Sequence, residues 1–409
     1  MTSSWKQSFK RRKIQADVAH HGKSIIVGVT HPQTCLVLCG RLRVLSEAGF
    51  QVTLLSSPGQ LLEDTARKEG VRAVSIPIAR GIAPLSDLVT LVRLCYLIRK
   101  LKPDVTEFST PKAGFLGSLA AWICRVPTRV YMLRGLKLER CLGLKRCVLL
   151  ATERVASACA QVVLCNSDSL LRKAVRIGVA PHAKLRLLGN GSSYGVDTDR
   201  FCPGESTVRS LLGIPADAPV IGYVGRLTRD KGVPELIASF QMILKAMPET
   251  RLLLVGWFDA SEDAIKTGLR RYIEGHPRIH YTGFVSDTAP YFRAMDLMVL
   301  PTWREGFPNV ALEAAATGIP VICTISTGSR DAVIPEVTGL LIPPGCPEAI
   351  TEAVLKLLNA PDRRRGMGIA ARAWVREYYA NEYVLSLIAT FYKNLAPQAG
   401  DNVLDCAKV

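Results

Sequence analysis

From Lys23 onward the chain alternates two kinds of apolar pattern. Short runs rich in β-branched residues, SIIVGVT, QVTLLSS, AVSIPI, DVTEFST, RVYMLRG, QVVLCNS and KLRLLGN, are separated by longer stretches whose apolar residues recur three and four apart. The runs fit strands buried on both faces and the stretches fit helices. Their strict alternation predicts parallel strands joined by crossover helices. In DLVTLVRLCYLIRKLK the expected core stripe is Leu88, Leu91, Cys95 and Ile98. The pattern breaks at the glycine-rich GNGSSYGVDTDRF and restarts at Pro219 with APVIGYVG, TRLLLVGW, RIHYTGF, DLMVLPT, PVICTIS and GLLIPP. Two helical stretches follow, near Arg363–Tyr379 and Asn381–Leu395, the second with Tyr383, Leu387, Phe391 and Leu395 expected on one face.

The expectation is therefore an α/β protein of two Rossmann-like parallel-sheet domains facing across a cleft. Residues 23–200 form the first domain, 201–380 the second, and 381–397 a last helix, with a basic flexible tail at 1–22 and a second tail at 398–409. A length of 409 residues suits two domains, and a 48% hydrophobic composition supplies two cores.

Charge changes the picture more than composition does. The net charge is +17, yet residues 206–409 hold 21 Lys and Arg against 21 Asp and Glu, while residues 1–205 hold 31 against 14. The whole excess lies in the first half, which points to a polyanionic partner: an anionic membrane surface or nucleic acid. No nucleic-acid recognition motif accompanies it, and the cations are spread over many α/β segments, so nucleic acid is not the expected partner. The twelve cysteines include no C-x-x-C and fit reduced thiols in a cytoplasm. The basic N-terminus lacks a signal-peptide core, and runs such as LGSLAAWICRV are too short to span a bilayer. The expectation is a cytoplasmic protein, peripheral on the inner face of a membrane.

The candidate chemistry sits in MDLMVLPTWREGFPNVALEAAATGIP, a strand, a turn holding Glu305 and Gly306, and a helix from about Asn309 carrying Glu313. Unpaired N–H groups and the positive dipole end of such a helix seat a phosphate, and the glutamates accept hydrogen bonds from sugar hydroxyls. A second stretch, VIGYVGRLTRDKGVPELIASF, places Gly225, Arg226 and Lys231 between a strand and a helix, two cations suited to a doubly charged leaving group. E-G-F-P-N-V-A-L-E, with its glutamates eight apart, and G-R-L with the basic pair behind it together resemble the donor site of the retaining glycosyltransferases often numbered family four, of the GT-B fold.

That resemblance implies a nucleotide-sugar co-substrate, preferably a UDP-sugar, with no cofactor and no metal. It implies that Arg226, Lys231 and Glu305 act on the diphosphate and donor sugar, that Glu313 holds the ribose, and that Gly306, Phe307 and Asn309 touch sugar and phosphate. Gly256, Phe284 and Val285 would border the base, although strand packing accounts for them equally well. It also implies that the last helix crosses back onto the first domain. Many relatives carry a histidine in an H-G pair where this chain has Arg134 before Gly135. STPKAGFLGSLAAW and RGLKLERCLGLKR are similar to the subgroup that extends polyprenyl-diphosphate-linked sugars for exopolysaccharide, capsule or O-antigen. Lys112 and Arg134 would then meet the acceptor's diphosphate, and His31 either lines the cleft or is an ordinary loop histidine. LKLERCLGLKRCVLLATERV is either a basic amphipathic helix at a membrane surface or a helix docked on a sheet. A nucleotide-sugar epimerase on the same plan is the enzymatic alternative, and a nucleic-acid-binding protein the non-enzymatic one.

Two patterns in the junction invite other readings. GNGSSYG is spaced G-x-G-x-x-x-G and leads into a turn, unlike a dinucleotide fingerprint. Asp197 and Asp199 form a D-x-D pair, and the G-V-D-x-x-R-F around them reads as a structural hinge.

Overall fold

The structure is a computed structural model that describes residues 22–79, 81, 83–260 and 262–395. The tails expected at 1–22 (but for Gly22) and 398–409 lie outside the described residues. In chain order the first part runs β1 (Ser24–Gly28), α1 (Arg41–Glu47), β2 (Gln51–Ser56), α2 (Gln60–Glu69), β3 (Arg72–Ser75), α3 (Pro84–Leu101), β4 (Val105–Ser109), α4 (Pro111–Ile123), β5 (Thr128–Leu133), α5 (Gly143–Cys159), β6 (Val162–Cys165), α6 (Asp168–Arg176) and β7 (Leu185–Leu187). The second runs α7 (Val208–Leu211), β8 (Val220–Val224), α8 (Val233–Ala246), β9 (Arg251–Val255), α9 (Thr267–Gly275), β10 (Ile279–Tyr281), α10 (Ala289–Phe292), β11 (Leu297–Leu300), α11 (Asn309–Ala316), β12 (Val321–Thr324), β13 (Gly339–Ile342), α12 (Pro347–Leu358), α13 (Pro361–Tyr378) and α14 (Asn381–Leu395).

Each apolar run expected as a strand is one. All pairings within the two sheets are parallel, in the orders β3-β2-β1-β4-β5-β6-β7 and β10-β9-β8-β11-β12-β13. Central strands such as β4 and β8 are buried at every position, as strands covered by helices on both faces must be. The strand order reverses between β1 and β4 in one sheet and between β8 and β11 in the other. Open α/β sheets bind ligands in the crevice at such a reversal, beyond the carboxyl ends of the strands.

Two helix faces differ from expectation. In α3 the buried residues are Thr90, Leu94, Cys95 and Ile98, while Leu88 is 59% exposed and Leu91 only partly covered. The spacing allows either register, and Thr90 can take the buried one because its hydroxyl donates to the Pro77 carbonyl at 3.0 Å. In α14 the buried residues are Val384, Ile388 and Tyr392, one position on from the expected stripe. Leu387, Phe391 and Leu395 flank them, and Tyr383 is exposed. The Tyr392 hydroxyl explains the rotation: it donates to the buried Glu107 carboxylate, which also pairs with the buried Arg41. These residues complete the first domain's core beside Leu42 and Leu45, so α14 packs on the first sheet although it follows the second in the chain.

The junction lies alongside the α13–α14 connection. Val196 donates to the Tyr379 carbonyl and accepts from the Asn381 amide, and Asp197 Oδ1 closes the turn by accepting from the Asp199 and Arg200 amides.

Candidate active site

The second domain builds its half of the site on the loops after its two central strands. After β8, Gly225 and Arg226 lead through Thr228 and Asp230 to Lys231 and to Gly232, which precedes α8. A Cβ on Gly232 would stand 2.0 Å from the Pro301 carbonyl oxygen, and its φ is +73°, so glycine alone lets this turn press against the end of β11. After β11, Pro301–Pro308 carries Arg304, Glu305 and Gly306 into α11. The two loops meet where Lys231 Nζ bonds Glu305 Oε1. Arg226 lies beside them, Nη1 bonded to Asp259 Oδ2 at 2.6 Å and Nη2 3.8 Å from Asp230 Oδ2. Burial opposes the Arg226 charge, but the bond to Asp259 and the field of Asp230 more than restore it and raise its pKa. Asp230 is likewise penalised by burial, yet the Thr228 hydroxyl and the cations Lys231, Arg226 and Arg304 hold it below the usual carboxylate range.

The first domain supplies the facing wall. A 3-10 turn, Pro32–Leu38, presents Gln33, Thr34 and Val37, and the junction presents Ser193 and Tyr194. The lobes touch closely here. Ser192 Oγ lies 3.1 Å from Asn309 Oδ1, Asn309 Nδ2 donates to the Gly195 carbonyl at 3.2 Å, and a Cβ on Gly306 would fall 1.8 Å from the Arg134 carbonyl oxygen.

Between the walls lies a cavity of about 550 Å³. Gly225, Arg226, Lys231, Gly256, Phe284, Val285, Glu305, Phe307, Asn309 and Glu313 all line it, so one space collects ten of the residues singled out in the sequence. Gly306 is not on its lining; it packs against Arg134 and Gly135. On this lining Phe284 is 67% exposed and meets Trp257 edge to face, ring centroids 5.6 Å apart. Burial pushes the Glu313 carboxyl up to about 7, with Arg200 a weaker opposing influence. Among the described residues, no three His, Cys, Asp or Glu side chains gather as a metal set would. A second cavity, at the amino ends of β1 and β2, has Arg72 as its one charged lining residue.

The three acceptor candidates fall elsewhere. Lys112, in the first turn of α4, is ion-paired with Asp87 at 2.5 Å and does not line the cavity. His31 caps the 3-10 turn, its Nδ1 accepting from the Gln33 amide, and stands just behind the lining residues. Arg134 also stands behind the wall, its Nη1 donating to Ser193 Oγ at 2.8 Å. Of the basic residues after it, Arg140 stacks over the Trp303 ring and Lys145 pairs with Glu262, so both reach the other lobe. The first half of α5 leaves Leu144 exposed while its second half is docked at Glu153, Ala156 and Ser157.

Sequence reading missed Ser193, Tyr194, Gln33, Thr34 and Trp257, and the carboxylates Asp230 and Asp259 that hold Arg226. Ser193 and Tyr194 lie in GNGSSYG, set aside because it lacks a dinucleotide spacing; its proximity to α11 is a tertiary fact.

Comparison with known proteins agrees with this geometry. Residues 218–360 match the family described as glycosyl transferases group 1, and residues 38–191 the glycosyl transferase 4-like domain. The capsular polysaccharide biosynthesis glycosyltransferase CapM of Staphylococcus aureus is 33% identical over 375 residues, covering 91% of this chain and 97% of that protein. The UDP-Gal:alpha-D-GlcNAc-diphosphoundecaprenol alpha-1,3-galactosyltransferase of Escherichia coli is 26% identical over 332 residues, 77% of this chain and 84% of its own. The crystal structure of Anabaena HepE with UDP-glucose superposes with a TM-score of 0.74 at 19% identity, over 90% of this chain and 99% of that one, a likeness of fold. The chain thus belongs to the family-four glycosyltransferases of the GT-B fold.

Proposed function

We propose that this glycosyltransferase moves a sugar, with retention and without a metal ion, from a nucleotide diphosphate donor to a polyprenyl-diphosphate-linked saccharide of a surface polysaccharide. The observation that carries the reading is the convergence of Arg226, Lys231, Glu305, Glu313 and the start of α11 on one cavity at the strand-order reversal. Glu313 accepts the ribose hydroxyls, Phe284 and Trp257 flank the base, and the diphosphate lies against the α11 amides beside Arg226 and Lys231. In the reaction the bond from the sugar carbon to the β-phosphate oxygen breaks, leaving its electron pair on that oxygen. The acceptor oxygen bonds to the sugar carbon on the same face, and its proton passes to the departing phosphate. Among the described residues no histidine lines the cavity, which suits a proton path through phosphate and disfavours an epimerase working through imidazoles. The lipid-linked acceptor and the UDP carrier are supported by the Escherichia coli relative, whose name gives both, and the surface polysaccharide by CapM. The cytoplasmic membrane face is supported by the basic first domain.

The test is transfer from a panel of UDP-, GDP- and ADP-sugars to polyprenyl-diphosphate saccharides, with the product anomer assigned by NMR and the rate compared with and without EDTA. Lys231→Ala and Glu305→Gln should each lower kcat by on the order of a hundredfold or more while melting as the parent does. Undiminished turnover in both variants removes the site assignment. Inversion at the anomeric carbon, or loss of activity in EDTA, removes the mechanism.

A further inference from the structure

The two second-domain cations that line the cavity are both engaged by carboxylates, Arg226 by Asp259 and Asp230 and Lys231 by Glu305. A departing nucleoside diphosphate brings about two negative charges, so part of the compensating field must come from elsewhere.

Directly across the cleft the balance is different. Behind the first domain's wall Arg41 and Arg134 face one carboxylate, Glu107, and that carboxylate is bonded to Arg41 and Tyr392. Among the described residues Arg134 has one hydrogen bond, to Ser193, and its Nε and Nη2 are buried without a partner. Burial and the nearby Arg41 charge hold its pKa down to about 10, so it is still a cation at neutral pH. An incompletely paired buried guanidinium is a cost to the fold.

Ser193 is 7% exposed and lines the cavity. Its Oγ accepts from Arg134 Nη1 at 2.8 Å and from Asn166 Nδ2 at 3.1 Å. A hydroxyl oxygen has two lone pairs and one hydrogen. With both lone pairs engaged by donors behind the wall, the hydrogen is left to point forward. The same junction is tied to the first residue of α11 through Ser192, Gly195 and Asn309, so Ser193 shares the cavity with the start of that helix.

We propose that Ser193 donates its hydroxyl hydrogen to the diphosphate of the bound donor, and that Arg134 acts through it as a positioning residue. Arg134 fixes the hydroxyl's direction and polarises it with its incompletely paired charge. Both residues belong to the first domain's wall, so this contact reaches across the cleft to a nucleotide held by the second domain. The inference rests on the nucleotide-sugar reading above and assigns a partner for the leaving group within it.

The experiment uses the full chain and isothermal titration with UDP, GDP and ADP and with the matching monophosphates, followed by transfer kinetics. Ser193→Ala should weaken the preferred diphosphate by about tenfold or more, the size expected for a charge-assisted hydrogen bond, and leave the monophosphate within about twofold. In transfer it should lower kcat more than it raises the donor KM, because the charge on the leaving oxygen grows toward the transition state. Ser193→Thr, which keeps the hydroxyl, should retain more of both than Ala does. Arg134→Gln should follow Ser193→Ala, add little to it in the double variant, and leave the Tm unchanged or raised. Diphosphate binding and turnover within twofold of the parent in both single variants overturn this inference while the nucleotide-sugar reading stands. So does an Arg134→Gln protein that melts early and loses monophosphate and diphosphate equally, the mark of a structural role. If the parent binds none of the three diphosphates, the nucleotide-sugar reading itself fails, and this inference with it.

Discussion

Glu313 and Glu153 are two carboxyls that burial pushes up to about 7, Glu153 in spite of the Tyr131 hydroxyl bonded to it at 2.5 Å. A carboxyl whose native pKa lies above its unfolded value binds more protons in the folded state across the interval between them. Its contribution is present below the unfolded pKa and is lost as pH rises through the folded one. Displacements of this size carry roughly 3 kcal/mol each. Glu107 and Asp230 are lowered instead, and they act in more acidic solution. The ligand-free protein should therefore lose Tm as pH rises from about 5 to about 7.5, and Glu153→Gln should flatten the slope. Donor binding should run the other way. On the proposed function the ribose hydroxyls need an ionised Glu313 as acceptor, so the Tm increment given by a nucleoside diphosphate should grow over the same range, and grow less in Glu313→Gln, where only the ionisation of the terminal phosphate at about pH 6 remains. Melting curves at a series of pH values, with and without nucleotide, read both slopes; an increment that does not grow would remove Glu313 from the ribose.

At the scale of elements, the loop from β11 to α11 does two jobs with adjacent residues. Glu305 faces the cavity and Lys231, while Gly306 lets the Arg134–Gly135 backbone of the other lobe come into contact. Gly306 has no positive φ, so its demand is for space alone. Gly306→Ala should thus leave each lobe folded, and nucleotide binding to the second lobe largely intact, while it holds the lobes apart by the size of a methyl group. The expected loss is on the order of a hundredfold in kcat/KM, the effect of misplacing reacting groups by about an ångström; full activity would mean that the contact is incidental to turnover. The sequence was informative about this loop because its chemistry is local: strand, turn glycine and helix start stand next to one another in E-G-F-P-N. All thirteen strands were legible for the same reason, since short, nearly continuous apolar runs rich in β-branched residues between helical stretches have few other solutions. What was illegible is tertiary. Helical spacing in α3 and α14 fits two registers, and only partners far along the chain, the Pro77 carbonyl for Thr90 and Glu107 for Tyr392, select between them. Ser193 was hidden likewise, because its function depends on Arg134, 59 residues earlier, and on the neighbourhood of Asn309.

Across the whole molecule the misread face of α3 becomes informative. Leu85, Leu88, Val89, Val92 and Tyr96 are all about half or more exposed, and they follow the three-and-four spacing of a single helix face. Beyond α4, which packs on both α3 and α5, Leu142 and Leu144 are exposed at the start of α5, and Trp122 and Ile123 at the end of α4. Apolar side chains so concentrated on one lobe are unusual for a free surface, and this lobe belongs to the half of the chain, residues 1–205, that carries the entire excess of Lys and Arg. No helix of the described residues is long and apolar enough to cross a bilayer, so a membrane contact would be made by lying on the surface. On the proposed function, such a contact would hold the first domain's wall of the cleft against the layer in which a polyprenyl-linked acceptor is anchored. Each embedded Leu or Val supplies about 1.5–3 kcal/mol, and each Lys or Arg near anionic lipid about 1 kcal/mol. The full chain should therefore sediment with vesicles containing phosphatidylglycerol more than with purely zwitterionic ones, and less as salt is raised. Leu85→Glu with Val92→Glu should lower the partition at least tenfold while leaving nucleoside diphosphate binding unchanged, because both residues lie outside the cavity. Partition that ignores both the lipid charge and the double substitution would assign the α3 face to another role and leave the basic lobe without its membrane.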